Sequence, residues 1–338
     1  MIFKKFKADK PVKPVCGTSS YVDTPLGRFY FIKNVDNRPQ ICYIKFMRAI
    51  SQPSLFDFEI NDEKIIVPPI KCQGIKTKLV PFIKEHVSVP ENGTWIEPFM
   101  GTGVVAFNLA PKKAILTDKN QHLINFYKGI QNGIITSTSA RKFLEFHGKK
   151  LEVSGKDYYI QMRKEFNENS DPMYFLFLNR ADFNGMIRFN SKGQFNVPFC
   201  QKPNRFSKAY ITKICNQIAN VSNIMKNKDW TFVCSNWQDT FDKAQKGDFI
   251  YIDPPYIGRD TSYVGEWPEE EAVSLAQYAH NTEASVCLSM WKENEFRTNN
   301  HLYDYWSDFK WFEQNHFYHI GGKEENRHPM IEILAIKS

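Results

Sequence analysis

The sequence lacks the residue patterns of several common protein classes. Its seven cysteines are odd in number and no two lie within four residues of each other, which indicates neither a disulfide framework nor a zinc knuckle. No apolar run approaches the roughly 18 residues of a membrane span, and the basic start MIFKKFKADK is not followed by the apolar stretch of a signal peptide. The eight histidines show no spacing typical of a metal site or a catalytic triad. We therefore expect a cytoplasmic protein that holds no metal.

The chain does have length, aromatic residues and a modest excess of positive charge. Its 338 residues are enough for two domains, and a hydrophobic content of 42% supplies a large core. Aromatic residues make up 15% of the chain, and a core of this size accounts for most of them. The formal net charge of +7 permits a polyanionic partner without requiring one.

The order of the predicted elements indicates an α/β fold with an insertion. Residues 1–65 form a small extension, in which FYFIKN and ICYIKF are predicted strands around the turn NVDNRP. From residue 66, TKLVPFIKEHV is a predicted helix, and TWIEPF, VVAFNLA and KKAILTD give a strand–helix–strand pattern that implies a parallel sheet. Residues 121–208 interrupt this rhythm with a polar, asparagine-rich segment. Residues 209–338 resume it with a long helix and the strands WTFVCSN, DFIYID, ASVCLSM and IEILAIKS.

The run DFIYIDPPY places an acid, two prolines and an aromatic ring directly after a short apolar strand. Proline donates no backbone hydrogen bond, and it pushes the residue before it towards extended geometry. Asp253 to Tyr256 are therefore expected to form a stiff turn at the carboxyl end of a strand, where open α/β sheets bind their ligands. The turn offers hydrogen-bond acceptors and a flat ring, but almost no donors.

A second turn, EPFMGTG, lies between a predicted strand and a predicted helix. Gly101 and Gly103 let the backbone turn sharply and approach a ligand closely, although a plain tight turn fits the same residues. Glu97 is suited to accept hydrogen bonds from an ammonium group. Asp118 ends the next strand, 15 residues past Gly103, near the position of a ribose-binding acid. An N-cap for the following helix is an equal alternative for Asp118.

These two motifs and the segment NRADFNGMIRFNSKGQFNVPF together resemble the Dam-type DNA adenine methyltransferases of the D12 class. The resemblance runs from about Lys71 to residue 338, with the motifs in the family's order. It implies a Rossmann-like methyltransferase sheet with helices on both faces, formed by residues 66–120 and 209–338. It also implies a target-recognition domain at residues 121–208, and methyl transfer from S-adenosylmethionine to the exocyclic N6 amine of an adenine flipped out of double-stranded DNA.

The resemblance assigns a set of cofactor-binding residues. KCQGIK, residues 71–76, is similar to the family motif Lys-Trp-Ala-Gly-Gly-Lys, with Cys72 in place of the aromatic residue and Ile75 in place of the second glycine. The residues that the resemblance places around S-adenosylmethionine are Cys72, Lys76, Glu97, Phe99, Gly101, Gly103, Asp118, Asn236, Trp237 and Asp253.

The resemblance assigns catalysis to the turn Asp253, Pro254, Pro255 and Tyr256. The Asp253 carboxylate and the Pro254 carbonyl are expected to accept the two amine protons, so that the nitrogen lone pair points at the methyl donor, while the Tyr256 ring stacks on the base. Contacts to DNA phosphates and base edges are expected from cationic and amide side chains of the insert, among which Arg188 is suited to guanine. These side chains are Arg180, Asn184, Arg188, Asn190, Lys192, Asn196, Lys202 and Arg205.

Several alternatives stay open from the sequence. Methylation of the N4 amine of cytosine also needs acceptors around an exocyclic amine, and a catalytically idle DNA-binding module would keep the same scaffold. A cognate restriction endonuclease encoded nearby would fit a restriction–modification role, whereas an orphan methylase has none. The oligomeric state is open between monomer and weak dimer. Residues 1–65 are consistent with extending the DNA footprint, dimerising or merely packing.

Overall fold

The computed structural model describes residues 19–24, 27–32, 64–256, 267–317 and 329–338. The chain divides into two compact units, Met1–Asp62 and Glu63–Ser338. In the first unit, β1 (Ser19–Thr24) and β2 (Gly27–Ile32) pair antiparallel. β2 confirms the strand predicted at FYFI, but its partner β1 was not predicted, and the predicted strand ICYIKF lies outside the described residues.

The second unit is built on an eight-stranded mixed sheet. Its strands are β3 (Trp95–Glu97), β4 (Lys113–Asp118), β5 (Asp229–Cys234), β6 (Phe249–Ile252), β7 (Ser285–Asn294), β8 (Arg297–Thr298), β9 (Lys310–Phe317) and β10 (Pro329–Lys337). They lie in the order β5-β4-β3-β6-β7-β10-β9, with β8 paired to β7. All of the strands predicted from residue 66 onwards are present.

One edge of the sheet differs from the predicted parallel arrangement. β5, β4, β3, β6 and β7 are parallel to one another, whereas β10 runs antiparallel between β7 and β9. β9 and β10 follow each other along the chain and pair directly, with Pro329 opposite Phe317. The 11 residues between them are fewer than the dozen or more that a parallel crossover needs, so an antiparallel pair results.

Helices cover both faces of this sheet. Those that the structure describes are α1 (Val80–His86), α2 (Val104–Leu109), α3 (Gln121–Gln131), α4 (Ser137–Asn169), α5 (Pro172–Ala181), α6 (Lys208–Met225), α7 (Trp237–Phe241), α8 (Glu269–Asn281) and α9 (Asn300–Tyr305). Pro81 lies in the first turn of α1, where a missing amide hydrogen is tolerated, as predicted.

The central strand β6 shows why the sheet needs two helical layers. All four of its residues are buried, and they alternate between two apolar clusters. Phe249 and Tyr251 join the cluster that contains α2, α3 and α6, whereas Ile250 and Ile252 join the cluster that contains α7 and α8. A strand that is buried on both faces reads as a continuous apolar run, which is why DFIYI carries no polar alternation.

The connection from β4 to β5 spans residues 119–228 and contains the predicted insert. α4 begins with a capping box between Thr136 and Ser139, and it kinks at Gly155, where φ is +51°. The sequence interpretation placed no helix at α4 or α5, although Leu144, Leu151 and Tyr158 recur every seven residues and are buried. α3, the first helix of the predicted insert, packs against β5 and so belongs to the layer that covers the sheet.

The amino ends of β3 and β6 are held in register by backbone contacts. The Thr94 amide donates to the Asp248 carboxylate at 2.7 Å, and the Phe249 amide donates to the Thr94 carbonyl at 3.0 Å. A Cβ added to Gly93 would overlap the carbonyl oxygen of Gly247, so only glycine fits this approach. The register fixed here sets the positions of the two carboxyl ends, where Glu97 and Asp253 lie.

Candidate functional site

The carboxyl ends of β3 and β6 open into a cavity of about 280 Å³. Because these strands are parallel neighbours, the residues that end them meet at one edge of the sheet. The structure brings most of the predicted site residues to this cavity. Those that line it are Cys72, Lys76, Glu97, Phe99, Gly101, Asp118, Trp237, Asp253, Pro254, Pro255 and Tyr256. Gly103 and Asn236 are not among the lining residues.

A buried lysine connects two residues of the turn after β6. The Lys76 ammonium lies 2.8 Å from the Asp253 carboxylate and donates a 3.0 Å hydrogen bond to the Tyr256 hydroxyl. Lys76 is 4% exposed, whereas Asp253 keeps 24% of its side chain open. Burial raises the pKa of Asp253, and the Lys76 charge and hydrogen bond act in the opposite direction. Lys76 therefore stabilises the ionised carboxylate and fixes the orientation of the Tyr256 ring.

The glycine turn after β3 is bound to the end of β4. Gly101 has a φ of +48°, and its amide donates to the Asp118 Oδ2 at 3.0 Å. The Asp118 Oδ1 accepts from the Asn120 amide at 2.8 Å. Burial raises the pKa of Asp118 to about 6, and these two backbone hydrogen bonds oppose that shift.

The N-cap alternative for Asp118 is wrong. Asn120 is the N-cap of α3, because its side-chain oxygen accepts from the amides of His122 and Leu123. Gly103, with a φ of +71°, is the N-cap residue of α2, and a Cβ there would lie 2.7 Å from the Phe107 ring. Gly103 therefore shapes the turn, while Gly101 and Asp118 line the cavity.

Glu97 is a buried acid on the wall of the cavity. Its Oε1 accepts a hydrogen bond from the Trp95 indole at 2.8 Å. Burial raises the pKa of Glu97 to about 8, and the nearby negative charge of Asp253 adds to this shift. A cation bound between the two acids would relieve both effects, which makes this wall complementary to an ammonium group.

Aromatic rings form another wall of the cavity. The Phe99 ring lies 6.5 Å from Trp237 and meets Trp267 edge to face at 5.5 Å. The Trp237 indole donates to Glu271 on α8 at 2.7 Å, which fixes the plane of its ring. The wall is suited to a flat heterocycle. Asn236, by contrast, is exposed at the N-cap of α7.

The sequence interpretation missed two aromatic residues that line this cavity. Tyr251 lies inside the strand DFIYI, which was interpreted only as a strand, and Trp267 lies in EWPEEE, which was interpreted only as a helix start. Side chains alternate between the two faces of a strand, so residues 251 and 253 point to the same side. This alternation was the signal that could have placed Tyr251 beside Asp253 at the cavity. No spacing rule connects Trp267 to Phe99, which is far away along the chain.

The structure differs from the prediction for Arg180. Its side chain is 2% exposed, and the guanidinium donates to the Pro69 carbonyl, the Tyr210 hydroxyl and the Gln217 amide oxygen. A side chain with these buried partners presents no surface to a phosphate. Arg180 instead joins α5 and α6 to the segment before α1. Arg205 lies half-buried beside it, with its guanidinium 4.5 Å from the Tyr210 ring centre.

Four of the other predicted DNA contacts, Arg188, Asn190, Lys192 and Asn196, lie on one hairpin. Phe189 and Phe195 form an isolated β-bridge, and the turn between them is closed by Asn190, whose side chain accepts from the amides of Lys192 and Gln194. Arg188 is half-buried, and its Nε donates to Asn196 at 2.7 Å. The exposed members of the predicted set are Asn184, Asn190, Lys192 and Lys202.

The insert is hydrogen-bonded to the segment that forms one side of the cavity. The Lys71 amide donates to the Asn179 side chain at 2.8 Å, and the Asn179 amide group donates back to the Lys71 carbonyl at 3.0 Å. A Cβ on Gly185 would lie 2.5 Å from the Lys71 side chain, so the insert packs closely here. α5 therefore holds the start of the KCQGIK segment, whose later residues line the cavity.

Two further features are absent from the described part of the chain. It contains no group of three or more His, Cys, Asp or Glu side chains arranged to hold a metal ion. Within the same residues, no helix combines the length and the apolar character required to cross a membrane.

Comparison with known proteins gives one family and several relatives. The sequence profile of the D12 class N6 adenine-specific DNA methyltransferases matches residues 73–320. A DNA adenine methylase of Vibrio cholerae serotype O1 is 32% identical over 243 residues, which cover 68% of this chain and 81% of the relative. A DNA adenine methylase of Serratia marcescens is 35% identical over 221 residues, which cover 62% of this chain and 77% of the relative. The type II methyltransferase M1.LlaDCHI of Lactococcus lactis subsp. cremoris is 29% identical over 232 residues, which cover 65% of this chain and 73% of the relative.

The burial of Glu97 predicts a specific pH dependence of stability. In the folded chain Glu97 keeps its proton up to about pH 8, whereas the unfolded chain releases it near 4.5. The resulting stabilisation is complete below the lower value and is lost as the pH rises through the upper one. Between about pH 5 and pH 8, the free energy of unfolding of the wild type should therefore decrease with pH, and it should decrease less in Glu97→Gln, whose side chain stays neutral. The measurement is urea titration at a series of pH values. Glu91→Gln, at an exposed position on the loop before β3, is the control. Equal slopes for the wild type and Glu97→Gln would contradict the prediction.

Proposed function

This chain belongs to the D12 class N6 adenine-specific DNA methyltransferases, and from that membership we propose that it transfers the methyl group of S-adenosylmethionine to the N6 amine of an adenine flipped out of double-stranded DNA. The observation that carries the proposal is the Asp253–Tyr256 turn at the cavity, held by the 2.8 Å contact between Lys76 and Asp253. The methylation is site-specific, with the insert selecting the target sequence.

The cavity fits S-adenosylmethionine by the chemistry of its walls. We assign Glu97 to the ammonium group, Asp118 to the ribose hydroxyls, and the rings of Phe99 and Trp237 to the adenine ring; all four line the cavity. Gly101 leaves room for a close approach of the ligand to the backbone. When bound, the cofactor supplies an electrophilic methyl group on a positively charged sulfur.

The turn after β6 acts on the target base. The amine of adenine is a weak nucleophile because its lone pair is delocalised into the ring. The Asp253 carboxylate and the Pro254 carbonyl accept the two amine protons as hydrogen bonds, which draws the lone pair back onto the nitrogen. The Tyr256 ring, held by the Lys76 ammonium 5.2 Å from its centre, stacks on the base. The contribution of these residues is largely positioning.

The insert holds the duplex while the base is displaced. Flipping a base costs a few kcal/mol, which contacts to the rest of the duplex must supply. We assign phosphate contacts to Lys192 and Lys202, whose side chains are exposed, and a contact with a guanine edge to Arg188. Arg180 is left out of this set because its partners are internal.

Asp253→Ala should abolish methyl transfer while leaving the fold intact, because it removes the carboxylate that accepts a hydrogen bond from the amine. The measurement is mass spectrometry of nucleosides from DNA incubated with labelled S-adenosylmethionine, together with circular dichroism of the variant. Asp242→Ala, an exposed acid at the end of α7, should behave as wild type. Normal turnover by Asp253→Ala would remove the acceptor role. If the product were N4-methylcytosine, the substrate would be cytosine and not adenine. If the wild type gave no methylated nucleoside, the protein would be a catalytically idle binding module.

Lys76→Gln should move the acid limb of the pH profile of kcat/KM to higher pH. Without the ammonium group, the pKa of Asp253 rises further, because the adjacent positive charge that favours the carboxylate is lost while burial still favours the neutral acid. Lys78→Gln, an exposed lysine in the same 3₁₀ turn, is the matched control. An unchanged acid limb with weakened cofactor binding would restrict Lys76 to the cofactor role that the family resemblance implies.

Arg188→Ala should relax sequence preference, since a bidentate contact to guanine discriminates by about 1–3 kcal/mol. Lys192→Ala should instead weaken DNA binding equally across sequences. The slope of log K against log salt concentration should decrease by about the amount that one phosphate contact contributes. Methylation of a library of duplexes, mapped by modification-sensitive sequencing, distinguishes the two patterns. If Arg188→Ala reduced methylation of all sequences in proportion, the base-reading role would be excluded.

A further inference from the structure

The hairpin at residues 188–196, which we call the Arg188 hairpin, needs support from outside itself. Its strands share one isolated β-bridge, between Phe189 and Phe195, and so short a pairing is marginal on its own. The second strand is bound to α4, because the Asn167 side chain accepts from the Phe195 amide at 2.8 Å and donates to the Phe195 carbonyl at 3.2 Å. The first strand, which carries Arg188, has a different support.

Phe189, on the first strand, stacks on His122 in the first turn of α3. Their ring centres are 5.0 Å apart and their planes differ by 13°. The His122 ring also lies 4.9 Å from the Phe166 ring of α4 and 6.0 Å from the Phe175 ring of α5. Such ring pairs stabilise a specific geometry beyond the area that they bury. Because α3 belongs to the layer that covers the sheet, His122 joins the hairpin to the body that carries the cavity.

The position of His122 is set from the cavity side. The Asn120 side chain accepts from the His122 amide at 3.0 Å, and the Asn120 amide donates to the Asp118 carboxylate at 2.8 Å. Asp118 also accepts from the Gly101 amide at 3.0 Å, and both of these residues line the cavity. Residues 118–122 are therefore a short, hydrogen-bonded link between the cavity wall and the Arg188 hairpin.

His122 supports the hairpin with its ring and not with a hydrogen bond. Its Nδ1 is buried and has no hydrogen-bond partner. Burial lowers the pKa of the imidazole, so the ring is neutral at pH 7 and above. A phenylalanine at this position would keep the stack on Phe189 and would remove the unpaired polar atom.

We propose that His122 is a positioning residue for sequence preference, whose ring fixes the Phe189 strand relative to the cavity and so aims Arg188 at the base edge that it contacts. The inference rests on the proposed function, in which Arg188 contacts a guanine. Within the hairpin, the Arg188 guanidinium donates to the Asn196 side chain at 2.7 Å and to its carbonyl at 3.1 Å. These bonds fix the guanidinium in the hairpin but not the hairpin relative to the cavity. The second restraint matters because a misplacement of about 1 Å can reduce a rate about 100-fold.

The test compares three full-length variants with the wild type. His122→Ala removes the ring, and His122→Phe keeps a ring of similar shape. His147→Ala is the matched control, because it removes another half-buried imidazole whose ring neighbours, such as Phe143 and Tyr174, lie on α4 and α5. The measurement is the discrimination ratio, which is kcat/KM for the preferred duplex divided by kcat/KM for duplexes with one substituted base pair. Cofactor affinity is measured by titration with S-adenosylmethionine.

His122→Ala should reduce the discrimination ratio by about threefold or more, while cofactor affinity and kcat on the preferred duplex stay close to the wild type. His122→Phe and His147→Ala should keep the wild-type ratio. Added to Arg188→Ala, His122→Ala should cause little further loss, because both changes act on one contact, whereas its effect should add to that of Lys192→Ala. An unchanged ratio in His122→Ala, an equal loss in His122→Phe or His147→Ala, or full additivity with Arg188→Ala would overturn the inference.

Hydrogen exchange distinguishes failure of this inference from failure of the proposed function. In His122→Ala without DNA, the backbone amides of the Arg188 hairpin should exchange faster than in the wild type, while those of α8 keep their rates. Faster exchange, together with a wild type that methylates no DNA, would reject the proposed function and retain the support of the hairpin by His122. Unchanged exchange, together with a wild type that methylates adenine, would reject the role of His122 alone.

Discussion

The ion pair between Lys76 and Asp253 is the contact on which the candidate site depends. It joins a residue before the first strand of the main sheet to a residue after its central strand, across 177 positions of sequence. Burial raises the pKa of Asp253, and the positive charge of Lys76 opposes that shift by favouring the carboxylate. Lys76 also donates a hydrogen bond to the Tyr256 hydroxyl, so one side chain fixes both the Asp253 carboxylate and the Tyr256 ring.

The sheet explains why the acids of the cavity have distinct properties. Glu97 and Asp118 end neighbouring strands, yet their environments differ. Glu97 has an indole as its hydrogen-bond donor, and burial raises its pKa to about 8. Asp118 accepts from two backbone amides and its pKa reaches only about 6. One fold thus provides an acid suited to a cation and an acid already fixed to the backbone, within one cavity.

The sequence predicted the parts of this structure that depend on local rules. Short apolar runs predicted β3, β4, β6 and β7, and the two turns after β3 and β6 predicted part of the cavity lining. Partners distant in sequence could not be predicted, because no local pattern shows that Lys76 meets Asp253 or that Gln217 meets Arg180. Arg180 was assigned to DNA because charged residues are usually exposed, and tertiary packing reversed that expectation. α4 was missed because exposed apolar residues such as Val153 and Ile160 blur its periodicity.

The reciprocal hydrogen bonds between Asn179 and Lys71 have a thermodynamic consequence. α5 cannot shift without straining the strip of chain that leads into the cofactor side of the cavity. Under the proposed function, the duplex contacts of the insert and the cofactor contacts in the cavity would act on this one element. If occupancy of one side changes affinity at the other, the effect must be mutual and equal in size, whichever molecule arrives first.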